Sequence, residues 1–143
     1  MVPIFLLLFI ALFDLGTAVF TYNTLTNAAR EGARLAIVNQ DVPSIIQRAK
    51  NQTAIAELNV PSVTVDFYQQ KTDGTPDTST TCNPAAVGCL AVVKFEATYH
   101  PITPIISNIL FAGGVTFIAQ SVLSVEFNCP NATTTAANCP RQP

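Results

Sequence analysis

Residues 1–38, MVPIFLLLFIALFDLGTAVFTYNTLTNAAREGARLAIV, decide the fold. After Pro3, which a first helical turn tolerates, no strong breaker interrupts the run. Residues 1–22 hold one charged side chain, Asp14. A helix of about 22 residues at about 1.5 Å per residue is about 33 Å long, which matches a bilayer core of roughly 30 Å. From Leu25 onward apolar and small residues recur at helical spacing through Ala28, Ala29, Gly32, Ala36 and Val38, so the second half reads as amphipathic. One helix from Val2 to about Asn39 would be about 57 Å long, more than a small domain needs, and part of it is expected to project. No Lys or Arg precedes the apolar run, so the basic n-region of a removed secretory signal is absent. The numbering fits an already processed N-terminus.

Working outward, NQDVP at 39–43 marks a boundary, because Pro43 disfavours helical geometry at Val42. A second helix, or a kinked continuation of the first, is predicted over PSIIQRAKNQTAIAEL, with Asp41 or Ser44 as N-cap and Asn59 and Pro61 as its stop. Period-two alternation then predicts strands at SVTVDFYQQ (62–70) and LAVVKFEATYH (90–100), and a third at VTFIAQSVLSVEF (115–127). Between the first two, KTDGTPDTSTTCNPAAVG reads as a long exposed loop. PITPIISNILFAGG reads as a short helix after Pro104 ended by Gly113 and Gly114, and the tail from Asn128 is polar.

The fold class is therefore α+β with the outline of a lollipop. Residues 1–58 form a long N-terminal helix region, kinked or broken near Pro43, and 59–143 a β-rich head of three or four antiparallel strands. A head of about 80 residues is marginal alone and needs the helix and disulfides to complete its core.

The 143 residues are 49% hydrophobic and only 11% charged, against roughly 25% charged in an average soluble domain. A net charge of -2 leaves no basic stripe, which argues against nucleic acid as a partner. Cys82, Cys89, Cys129 and Cys139 lack the CxxC spacing of a zinc knuckle. Disulfides are expected; of three pairings, the local one, Cys82–Cys89 and Cys129–Cys139, would close two loops. Such bonds imply an oxidising compartment outside the cytoplasm.

Asp14 is the sharpest single feature. A carboxylate in a membrane helix costs roughly 2.5–3.5 kcal/mol on insertion scales and normally has a partner. No basic residue lies within two helical turns of it, so a partner from another chain, such as the α-amino group of Met1, is one expectation. A protonated carboxyl, or a place near lipid headgroups, is the other. In NAAREGARLAIV the small residues Ala28, Ala29, Gly32, Ala33 and Ala36 let another backbone approach closely. Glu31 reaches Arg34 at spacing three, which leaves Arg30 to an acceptor such as Asp41, Glu57 or a neighbouring subunit. The pattern fits a subunit interface and packing on the chain's own sheet equally well.

Chemistry is thin. His100 is the only histidine and has no acid, base or nucleophile set around it, so no catalytic, cofactor or metal site is expected. Asn51 and Asn131 match the N-glycosylation sequon, and residues 133–135 are a threonine run open to O-linked sugar.

PIFLLLFIALFDLG together with NAAREGARLAIV resembles the TadE-like family of tight-adherence pilus systems, relatives of type IV pilins. The matching positions are Asp14, Gly16 and Ala28 to Arg34, and VVKFEATYHPITPIISNILFAGGVTFIAQSVLSVE looks like the family's C-terminal strand, Pro-rich helix and strand. The resemblance implies a pilin-like protein inserted in the cytoplasmic membrane, cleaved by a prepilin-type peptidase and assembled through its N-terminal helix. Phe5 stands where pilins carry glutamate, which leaves Asp14 to take that role, and Thr17 stands where the family often has arginine.

The expected function is a structural subunit of an extracellular pilus-like filament, its head exposed for surface attachment. A membrane-held minor pseudopilin or assembly factor is the alternative; a secreted hydrolase is a distant third. The expected partners are other copies of the chain, the assembly machinery and the cytoplasmic membrane before assembly, with no small-molecule substrate.

Overall fold

In the computed structural model, which describes residues 2–53, 62–101 and 114–129, the apolar run forms one continuous helix, α1 (Val2–Ala36). Thr17, Thr24 and Thr26 donate their hydroxyls to the carbonyls of Phe13, Phe20 and Tyr22, so these polar groups are satisfied within the helix. α1 stops short of the expected Asn39 because the amides of Val38 and Asn39 both donate to the Leu35 carbonyl, at 3.1 and 2.8 Å, tightening the last turn.

Gln40 closes this helix end. Its Nε2 donates to the carbonyls of Ala36 (3.1 Å) and Phe127 (2.8 Å), and its Oε1 accepts from the Cys129 amide at 2.7 Å. The amides of Glu126 and Phe127 donate to the Ile37 carbonyl, both at 3.0 Å. Carbonyls that a helix C-terminus leaves without partners are thus met by the chain that follows the sheet.

The chain then turns into a separate helix, α2 (Val42–Asn51), rather than a kinked continuation. Asp41, one of the two predicted caps, accepts from the Ser44 amide at 3.2 Å, and Pro43 sits in the first turn. The described helix ends at Asn51 with Gln52 as its cap, so the predicted extension towards Leu58 is not seen up to Thr53. Residues 54–61 lie outside the described residues.

The sheet comprises β1 (Ser62–Gln70), β2 (Pro76–Thr81), β3 (Leu90–Tyr99) and β4 (Val115–Ser124) in the order β2-β1-β3-β4, every pair antiparallel. β2 lies inside the stretch expected to be a loop. Its residues PDTSTT are polar on both faces, so no apolar alternation betrays a strand; β-branched threonines and pairing to β1 create it. The register shifts between Tyr68 and Gln69, as expected of a bulge at a sheet edge. Cys82 and Cys89 are disulfide-bonded, tying the end of β2 to the start of β3, as the local pairing predicts. Cys129 is also disulfide-bonded. Its expected partner Cys139 lies outside the described residues, as do Met1, the predicted helix after Pro104, Asn131 and residues 133–135.

β4 ends at Ser124 rather than Phe127: Val125 still donates to the Cys89 carbonyl at 2.8 Å, but the Cys89 amide turns back to the Ala86 carbonyl at 3.0 Å instead of returning the bond, and the next two amides go to Ile37. The core lies between the sheet and the second half of α1. Leu25, Ala28, Ala29, Ala33 and Ala36 meet Ala91, Val93, Phe95 and Ala97 of the central strand, with Ile45 and Ala49 of α2 closing one side. Lys94 and Glu96, alternating with these, point to the other face and pair at 3.4 Å.

Candidate functional site

The feature that sets this chain apart from a closed globule is the start of α1. Val2, Ile4, Phe5, Leu8, Leu12 and Phe13 are all exposed, although burying one such side chain is worth roughly 1.5–3 kcal/mol. Among the described residues α1 is the one helix long and apolar enough to cross a membrane, and only 6% of its most apolar stretch is buried. Phe5, Phe9 and Phe13 line up along it with ring centroids 5.6 and 6.0 Å apart.

Asp14 marks where the head takes hold. It is only 6% exposed, in a helix whose neighbouring positions are open. Tyr99, at the end of β3, lies on it and donates its hydroxyl to the Asp14 carbonyl at 3.3 Å. Tyr99 stacks on Phe117 of β4 at 6.0 Å, and Phe117 meets Tyr22 of α1 edge-on at 6.1 Å. Burial and then the nearby Asp14 charge push the Tyr99 phenol above its ordinary value, partly offset by the neighbouring Thr17 hydroxyl. The cover over Asp14 therefore comes from the same chain. Gly16 lies on the opposite face with open space beside its Cα, in a shallow groove edged by Phe9, Leu12, Phe13 and Phe20.

Ala28, Ala29 and Gly32 face inward, fully covered by α2 and the sheet of the same chain. A Cβ built on Gly32 would lie 2.9 Å from the Ala49 Cβ and 3.2 Å from Val93 Cγ1, so glycine here lets α2 lie directly on α1. The small-residue seam is thus filled by the chain itself, and the surface left for a neighbour is the outward one. Glu31 joins Arg34 at 3.6 Å and, more closely, Arg48 of α2, whose Nη2 and Nε donate to one carboxylate oxygen at 2.6 and 3.2 Å. Arg30 is exposed and makes no ion pair among the described residues.

Sequence reasoning missed Arg48, Gln40 and Tyr99. Each acts across 17 to 89 positions, and only α2 folding back, or a strand returning to the helix, creates the contact. His100 is exposed beside the end of β3, Asn51 is exposed at the end of α2, and no group of three or more His, Cys, Asp or Glu among the described residues could hold a metal ion.

The arrangement defines a class: an α+β protein in which a small antiparallel head rides on the second half of a long helix whose first third stays apolar and uncovered. The family model described as TadE-like protein matches residues 1–34, which is nearly all of α1 and ends at Arg34, the last residue of the AAREGAR segment. This agrees with the resemblance read from the sequence. The match is confined to the helix, whose length and apolar composition fit membrane anchoring. Neither the curated proteins nor the solved structures contain a match to the chain.

Proposed function

We propose that the chain is a structural subunit of an extracellular pilus-like filament, held in the cytoplasmic membrane before assembly and packed through α1 afterwards. The observation that carries this reading is the uncovered apolar start of α1, within the segment that matches the family model. Moving that helix from lipid into a bundle of identical helices keeps it away from water throughout, so storage in the membrane and assembly can interconvert at modest cost. Asp14, Ala28, Ala29 and Gly32 face the chain's own head, so the helix–helix contacts of the filament fall on the outward face, which includes Gly16 and the phenylalanine row, with Arg30 and Arg34 at its upper end.

The head, poor in charge and closed by disulfides, suits exposure outside the cell. The second reading, a membrane-held minor pseudopilin or assembly factor, uses the same helix and differs in copy number. Isolation of surface filaments whose dominant protein yields this sequence from Met1 establishes the shaft role; recovery from membranes alone, at low copy, removes it. Asp14→Asn then tells whether the carboxylate is needed for assembly, since an unchanged filament yield would mean that its role is confined to seating the head.

A further inference from the structure

The head covers one side of α1, and the opposite side carries a pattern of its own. At about 100° per residue the buried residues of α1, from Asp14 to Ala36, centre on one direction, and a line of exposed residues falls within about 40° of the opposite one. Phe9, Leu12, Gly16 and Phe20 form the apolar part of this line. Asn23, Asn27, Arg30 and Arg34 continue it past the apolar run. The steps along it are of three or four residues, close on average to the repeat of about 3.5 that keeps two helices in contact over many turns.

Three features of the line fit a second copy of the same helix. The hollow over Gly16, about 420 Å³ between Phe9, Leu12, Phe13 and Phe20, leaves room for another backbone, since a Cβ built on Gly16 meets nothing within 4 Å. The side-chain amides of Asn23 and Asn27 have no partner among the described residues, and an amide, holding both donor and acceptor, pairs with its own copy. Charge completes the fit. Glu31 lies about 60° to one side of the line and Arg30 about 40° to the other. A two-fold axis parallel to α1 therefore sets Arg30, which makes no ion pair among the described residues, across from Glu31 of the second copy. The Glu31 Oε2 is the oxygen left for it, 3.6 Å from Arg34, because Arg48 holds Oε1. Like charges meet only at Arg34, whose side chain is 75% exposed and turns to water.

We propose that two copies of the chain pair through this line while held in the membrane, their α1 helices parallel and in register and their heads on opposite outer sides. The inference rests on the reading of α1 as a membrane anchor and deepens it by naming the first partner. Helices inserted from the same side run parallel, and the head, seated on the Asp14 side, leaves the line free. Register follows from the polar groups: a slip of one turn, about 5.4 Å, parts the amide pairs and the Arg30–Glu31 contacts together. Asparagine at a helix seam is the residue type that fixes register and the number of strands. Such a two-fold pair is closed, whereas a filament needs neighbours displaced along its axis, so the pair is the stored form rather than a piece of the shaft.

Cys82, Cys89 and Cys129 are disulfide-bonded, so a thiol added to α1 reports its own neighbour. Full-length Leu12→Cys, Asn27→Cys and Leu15→Cys proteins are reconstituted singly, at low density, in phosphatidylethanolamine–phosphatidylglycerol vesicles and oxidised with copper–phenanthroline. Leu12 and Asn27 belong to the line, and Leu15, also exposed, lies about 100° away from it. Leu12→Cys and Asn27→Cys are expected to become mostly covalent dimer, and Leu15→Cys to stay mostly monomer. In the Asn27→Cys background Gly16→Leu fills the hollow without reaching the head, and Arg30→Glu sets two acids face to face; each should cut the dimer yield several-fold. Equal yields at all three positions, no dimer at Leu12→Cys and Asn27→Cys, or a yield that either added substitution leaves unchanged overturns the inference, and the anchor stands as long as the protein floats with the vesicles. Protein that fails to float removes the anchor reading itself, and the pair with it.

Discussion

Gly32 is the glycine of the family-matched AAREGAR segment, and its substitution by alanine separates intrinsic helix preference from packing. In an isolated helix Gly→Ala is worth about 1 kcal/mol of stabilisation. Here the added methyl would stand 2.9 Å from the Ala49 Cβ, against an optimal carbon separation of about 3.5–4.0 Å. The second contact, Val93 Cγ1 at 3.2 Å, belongs to a fully buried side chain on the central strand. Neither neighbour is the loose end of a long side chain, so α2 must move as a body. Overpacking of this kind costs about 1–3 kcal/mol, and with two close contacts the upper half of that range applies. Gly32→Ala should therefore destabilise the head by about 1–2 kcal/mol after the helix gain is subtracted. Ala49→Gly removes the closest clashing atom; alone it should cost about 1 kcal/mol as a glycine inside α2, but in the Gly32→Ala background it should recover much of the loss. Guanidinium unfolding of the full chain in mild detergent, followed by circular dichroism, measures all four corners of the cycle. A stabilised Gly32→Ala protein, or two effects that simply add, would refute the view that α1 and α2 meet at this glycine.

Other consequences are open to the same kind of measurement. Glu31 and Arg48 are three-quarters covered and share two short hydrogen bonds, so Arg48→Ala should cost about 1 kcal/mol, while Arg34→Ala, whose side chain is 75% exposed, should change stability by a few tenths at most. The Cys82–Cys89 bond closes a loop with a sequence separation of 7, for which the chain-entropy relation gives about 2–3 kcal/mol; Cys82→Ser/Cys89→Ser should lower the denaturation midpoint accordingly and loosen β2 first, seen as faster amide exchange at Thr80 and Cys82. Asp73 is held below the ordinary carboxylate range, first by the Thr75 hydroxyl and then by the Thr75 amide, and Asp77 likewise by Ser79. A depressed folded-state value stabilises above the unfolded carboxylate pKa near 4 and is lost as pH falls through the folded value, so the β1–β2 turn should loosen only below about pH 4. Thr75→Val should raise the Asp73 titration midpoint in a carboxyl-detected NMR titration, and an unmoved midpoint would remove the hydroxyl as the cause.

The parts of this fold that were legible in the sequence are those whose signal is local. α1 announces itself by length and an unbroken apolar run, β1 and β3 by alternation, and α2 by Asp41 followed by Pro43. β2 was hidden because a strand polar on both faces has no apolar period to read. Gln40 was hidden for a different reason: a glutamine after a helix is unremarkable until the chain returns, 87 and 89 residues later, with a carbonyl and an amide for it to hold. Asp14 shows the boundary between the two kinds of knowledge most sharply. Its chemistry sets a cost that sequence alone can state, since a carboxylate in an apolar helix must be covered by something. Who covers it depends on where β3 ends, and β3 ends there because its other residues pack on the small-residue face of α1 one layer after another, from Val93 beside Gly32 to Tyr99 at Asp14. The alanines and glycine of the AAREGAR segment thus set the position of the residue that covers the acid some 18 positions before Gly32. On this view the two halves of the family-matched helix are coupled through the sheet: a change that lifts β3 off Gly32 also uncovers Asp14 and leaves a carboxylate exposed within the apolar helix.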